Sequence, residues 1–250
     1  MDGVFAIEPR HLTLYQAARQ DYTTPCYNQK MLNFQNYTPA YIISLIITLL
    51  IAFTVHELSH ALVATAFGDD TPRLNGRLTL NPFAHLDIMG TILLLVAGFG
   101  WAKPVPIDPY TLRRRSSLAM LWVALAGPAS NLLMAAIAVI PLRLGLIPLD
   151  TATNGIIPTP AYFLLNVFIP INLTLFLFNL IPVAPLDGEK ILDAILPPPA
   201  ARVFDNIRPY GPLILLAIVF VGPALGVNIL GFIIGPAMNG IFRLLMGVPG

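Results

Sequence analysis

Apolar residues in this chain come in long unbroken runs, longer than the alternation of a strand or the stripe of a soluble helix requires. A helix that crosses a bilayer needs about 20 mostly apolar residues. Residues 41–67 meet that length if one polar patch is tolerated, and 118–142 and 161–181 meet it as well. Residues 211–246 stay apolar for longer than one crossing and are interrupted at "VGPALG" and "IIGPAMNG", which predicts two short or kinked helices. Gly231 and Gly235 in that stretch have the spacing that lets helices approach closely. The run 88–101, "IMGTILLLVAGFGW", has only 14 residues and predicts a segment that enters the membrane and returns. Just before it, "RLNGRLTLNPFAHLD" alternates around Gly76 and predicts a short β-hairpin.

The polar stretch 1–39 lacks the basic start and continuous apolar core of a secretory leader. It reads as a tail with no assigned chemistry, and His11 reads as a surface histidine. No internal repeat is visible. The pattern therefore predicts an all-α polytopic membrane protein with about five or six membrane-embedded helices and a hairpin-like β element. Residues 40–250 form one membrane-embedded domain behind the tail.

Composition agrees. Hydrophobic residues make up 56% of the chain and charged residues 11%, against roughly 25% charged in a soluble domain. The net charge of +1 gives no electrostatic footprint for nucleic acid. Cys26 is the single cysteine, so an internal disulfide or a cysteine-built zinc site is excluded.

Charge also orients the chain, because cytoplasmic loops are enriched in Lys and Arg. If 88–101 re-enters, Arg73, Arg77, Lys103, Arg113, Arg114, Arg115, Lys190, Arg202 and Arg208 all fall on one side. Arg143 alone falls in the opposing loop 143–160, while the tail carries Arg10, Arg19 and Lys30. This threading places the ends of the first and third crossings at the cytoplasmic face.

At the end of the first apolar run stands His56-Glu57-Leu58-Ser59-His60, an H-E-x-x-H pattern. On a helix, histidines four apart share a face and can hold one metal, and the glutamate flanks that face as a proton acceptor. Ionisable groups in a membrane segment are expensive and point to function. Imidazoles with a carboxylate and one open position suit hydrolytic zinc, one ion per chain.

Two histidines leave such a site one ligand short. Asp187, in "FNLIPVAPLDGEK", lies at the same predicted depth on a segment where Pro182, Pro185 and Gly188 should unwind the helix. His85 and Asp87 in "NPFAHLD" are the alternatives. Asn179 either bonds unwound carbonyls or points at the site and donates to a developing oxyanion. Asn131, Asn166 and Asn172 read as hydrogen bonds between helices. Gly127-Pro128 reads as a kink that packs a helix on its neighbour.

With these residues in place, the chain resembles the site-2 protease family of intramembrane zinc metalloproteases. The resemblance is carried by "HELSHALVATAFGD", "LTLNPFAHLDIMGT", "LAGPASN" and "NLIPVAPLDG", in order, from about residue 53 to 190. It implies zinc held by His56, His60 and Asp187, Glu57 as acid and base, and Asn179 beside the scissile carbonyl. It implies a site beneath the cytoplasmic membrane surface, in a compact bacterial-type member. The substrate would be a transmembrane segment of another protein, cut after it unwinds. Residues 78–87 resemble the family's membrane-associated β element, expected to pair with that substrate. One departure is Glu189, where the family often has a second glycine. These 250 residues contain no stretch large enough for a PDZ domain.

Rival readings are a transporter or channel, a zinc-binding scaffold without catalysis, and a zinc protease with a glutamate third ligand. The last would have to use Glu189, the only glutamate after Glu57.

Overall fold

A computed structural model describes residues 38–97, 100–148 and 159–247. Residues 1–37 of the polar tail, with His11 and Cys26, lie outside the described residues, as do 149–158 of the opposing loop. In chain order the main helices are α1 (Pro39–Ala66), α2 (Ile88–Ala97), α3 (Pro109–Arg115), α4 (Ala119–Arg143), α5 (Pro160–Asn179), α6 (Asp187–Ile195), α7 (Pro198–Ala224) and α8 (Ile229–Met246). Among the described residues, α1, α4, α5, α7 and α8 are long and apolar enough to cross a membrane.

The helix starts follow local chemistry. Thr38 and Thr159 cap α1 and α5 through their side chains, and each is followed by proline at the first helical position. Asn228 caps α8, whose other end turns at Gly247 with a left-handed φ of 72°. α5 and α7 each carry a π-helical stretch, Phe163–Phe168 and Ala217–Val221. The break at "VGPALG" separates α7 from α8, whereas α8 continues through Pro236, so "IIGPAMNG" does not end a helix. α7 also begins upstream of the 211 expected from hydropathy.

α1 shows how the bundle closes. Ala40, Ser44, Thr48, Ala52, His56, His60 and Ala64 are all buried and lie at steps of four. Ile42, Ile43, Ile46, Ile47 and Ile51 face outward. In lipid, apolar bulk gives no preference for the protein interior, so close backbone approach through small residues drives packing. The small-residue stripe seats α1 on α4, and α4 packs in turn on α5. The bulkier core lies between α4, α5 and α8, around Val139, Leu142, Leu165, Ile169, Leu173 and Phe242.

α2 has 10 residues and is about 15 Å long, too short to cross. The chain returns beside its point of entry: Leu86 and Ala102 form an isolated antiparallel bridge, and the Lys103 N–H donates to the His85 carbonyl at 2.8 Å. The hairpin expected before α2 does not form a ladder among the described residues. Thr71–Leu74 is a helical turn and Pro82–Ala84 a 3-10 turn. Pro82 offers no N–H, and the Asn81 side chain caps the turn at Phe83 N, 3.1 Å. Carbonyls that a neighbouring strand would use bond side chains instead, Ala84 to Arg77 and Thr79 to His85.

Candidate metal centre

His56 and His60 extend the buried stripe of α1 by two positions, which brings their rings edge to face with centroids 4.7 Å apart. Each ring is held through Nδ1. His60 Nδ1 meets the Val123 carbonyl at 2.6 Å, and His56 Nδ1 meets Asn131 Oδ1 at 2.6 Å, both on α4.

The proton positions follow from the chain of amides behind them. The Phe168 carbonyl can only accept, so Asn172 Nδ2 donates to it at 2.9 Å. Asn172 Oδ1 then accepts from Asn131 Nδ2 at 3.0 Å. That leaves Asn131 Oδ1 as acceptor, and His56 Nδ1 must carry the proton. The Val123 carbonyl imposes the same tautomer on His60. Both Nε2 atoms are therefore left with lone pairs facing inward.

Asp187, the first residue of α6, meets them. Its Oδ2 lies 3.1 Å from each Nε2. α5 ends at Asn179, and the turn after it doubles back so closely that a Cβ on Gly188 would lie 2.4 Å from the Leu180 and Ile181 carbonyls. Only glycine fits there, and it places the neighbouring carboxylate over α1. The other carboxylate oxygen faces Lys190 Nζ at 3.5 Å.

Two imidazole lone pairs and a carboxylate oxygen thus converge with no donor of their own among them. All three residues are buried, and their ligand atoms lie within 4.8 Å of one another. A cation at the centre removes the mutual repulsion. The 3.1 Å separations approach the edges, about 3.3 Å, of a tetrahedral site with bonds of about 2.0–2.1 Å. The donor set is that of a hydrolytic metal site with an open position. Gly127 of α4 borders it, since a Cβ there would lie 2.3 Å from His60 Nε2 and 2.5 Å from His56 Nε2.

Glu57 is buried beside His56, and its Oε2 accepts from the Val105 N–H at 3.2 Å. The other residues singled out by sequence go elsewhere. His85 is fully buried but tied to the Thr79 carbonyl at 2.9 Å, outside the metal-binding group. Asp87 accepts from Gly90 N at the start of α2. Glu189 pairs with Arg208, which also holds Asp193 and Asp205. Asn179 is half-buried and donates to the Leu175 carbonyl at 3.0 Å. Asn166 bonds its own helix at Tyr162. Sequence reasoning anticipated helix-to-helix bonds for Asn131 and Asn172 but not their connection to His56. The four-residue step from Gly127 to Asn131 in "GPASN" along α4, with Gly127 against both rings, is the trace of it in the sequence.

Comparison with known proteins agrees with this centre. The chain is 42% identical over 208 residues to "Putative zinc metalloprotease YwhC" of Bacillus subtilis, covering 82% of this chain and 91% of that protein. Rip2 of Mycobacterium tuberculosis, which bears the same description, is 28% identical over 180 residues, 70% of this chain and 66% of its own. So does sll0528 of Synechocystis, 31% identical over 69% of this chain and 38% of its own. No protein-family model and no solved structure matches the chain.

Proposed function

We propose that this chain, which belongs to the site-2 protease family of zinc metalloproteases, hydrolyses peptide bonds in or near transmembrane segments of other membrane proteins. The observation that carries the reading is the buried group of His56, His60 and Asp187, with Glu57 beside it, inside helices of membrane-spanning length. His56 and His60 would hold zinc through Nε2 and Asp187 through Oδ2. When bound, zinc lowers the pKa of a water to about 7 and polarises a peptide carbonyl.

The remaining chemistry belongs to side chains. Glu57 takes the proton of the attacking water and passes it to the leaving amine nitrogen. Asn179, at the end of α5, exchanges the Leu175 carbonyl for the developing oxyanion. A helical substrate keeps its carbonyls in hydrogen bonds, so it unwinds locally before the cut. The loops gathered at this end of the bundle, 69–87 and 100–108, admit water. Their cationic residues support a cytoplasmic orientation for this end, in a bacterial plasma membrane.

The test is cleavage by the purified full chain in vesicles that also contain a single-span substrate. Fragments that appear with zinc and stop with a chelator support the reading. Sealed vesicles that show solute transport and no fragments would replace it with the transporter.

The amide relay gives a second expectation. Asn131→Ala leaves the His56 Nδ1–H without its acceptor and frees the ring to turn. Loss of such an outer partner costs about 10–100-fold in metal affinity. Competition with a chromogenic chelator measures it. Wild-type affinity in the variant would show that α1 alone orients His56.

A further inference from the structure

Residues 102–108 form an extended strap that meets Glu57 midway, and buried side chains tie both of its ends. At the first end Arg77, which is 5% exposed, donates to the carbonyls of Lys103 at 3.1 Å and Pro104 at 3.0 Å. The same guanidinium donates to Ala84 at 2.7 Å, and the Lys103 N–H reaches back to the His85 carbonyl at 2.8 Å. At the far end Asp69, which is 2% exposed, accepts from the Asp108 N–H at 2.7 Å and from the Thr71 N–H at 2.9 Å.

Between the ties the strap reads Pro104-Val105-Pro106. Proline has no N–H. Val105 is thus the one main-chain donor across these three residues, and it points at Glu57 Oε2. Among the described residues, the hydrogen-bond partners of Arg77 are three carbonyls. Burying a guanidinium without a carboxylate is costly. Here the cost goes to aligning the carbonyls that set the position of Val105.

We infer that Arg77 is a positioning residue for the reaction: it holds the strap so that the Val105 N–H fixes one oxygen of Glu57 and leaves the other for the attacking water. This rests on the protease reading above. A carboxylate that rotates freely spends part of its time unable to reach that water, so the loss is in the chemical step and not in substrate capture.

The experiment compares full-length wild type, Arg77→Gln, Arg77→Lys and Val105→Pro for zinc content and for kcat and KM on one transmembrane peptide. Val105→Pro removes the single hydrogen in question from a segment already bordered by prolines. Arg77→Gln and Val105→Pro are each expected to keep about one zinc per chain and to lose about tenfold or more in kcat, with KM within about twofold. Arg77→Lys recovers part of the loss, since an ammonium still donates but lacks the planar fork.

Unchanged kcat in either zinc-bearing variant overturns the proposal, and so does a loss confined to KM, which would make the strap a substrate contact. Loss of zinc from both variants also overturns it, because the strap would then build the metal centre. A wild type without zinc or cleavage is a different result: it removes the protease reading itself.

Discussion

Glu57→Gln is expected to bind about one zinc per chain and to cleave nothing measurable. The amide is nearly isosteric and keeps an oxygen for the Val105 N–H, so the strap and the helix stay in place. It cannot take a proton. General acid and base catalysis contributes about 10²–10⁴-fold, and Glu57 serves both half-reactions, so the loss should reach the upper part of that range. Metal analysis and turnover on the same preparation decide it. Full activity with zinc bound would move the proton acceptor to another residue. Loss of zinc would make Glu57 part of the metal's surroundings.

Asp187→Ala is expected to lose zinc. The variant leaves two imidazoles, both still tied through Nδ1 to α4, and removes the only carboxylate among the described residues that meets both. Loss of an outer-sphere partner already costs about 10–100-fold in affinity, so loss of a ligand should cost at least about 100-fold. The fold should survive, because α1, α4 and α5 pack without α6. Equal thermal unfolding of chelated wild type and chelated variant checks this. Wild-type zinc affinity in Asp187→Ala would transfer the third position to another group. Glu189 is a poor substitute, since it lies two residues, roughly 200°, around α6 from Asp187 and is paired with Arg208.

Some of the site was legible because it is local. The four-residue step from His56 to His60 needs only a helix, and the apolar run before it demands one. The small residues at Ala40, Ser44, Thr48 and Ala52 mark the same face, so the two histidines belong to a packing stripe visible in one dimension. Pro182, Pro185 and Gly188 announced that the chain after α5 turns, and the spacing to Asp187 follows from that.

The β-hairpin shows the limit of the same reasoning. Alternation in 73–87 was real, but a strand needs a partner for its carbonyls. Arg77 and His85 take those carbonyls, and Asn81-Pro82 begins a turn. Likewise Pro236 looked like a break and is absorbed within α8, where proline in a packed membrane helix is tolerated.

What the amino-acid order alone determined is the membrane class and the pair of histidines at helical spacing, because these depend on runs and spacings within a few residues. The tertiary structure alone decided which nitrogen of each histidine carries the proton, that Gly127 must be small, and that a main-chain N–H at Val105 faces Glu57. Those facts arise where segments 41 to 75 residues apart meet. Hydrogen bonds and van der Waals contacts act over a few ångströms of space, and no local pattern encodes which distant atoms will share that space.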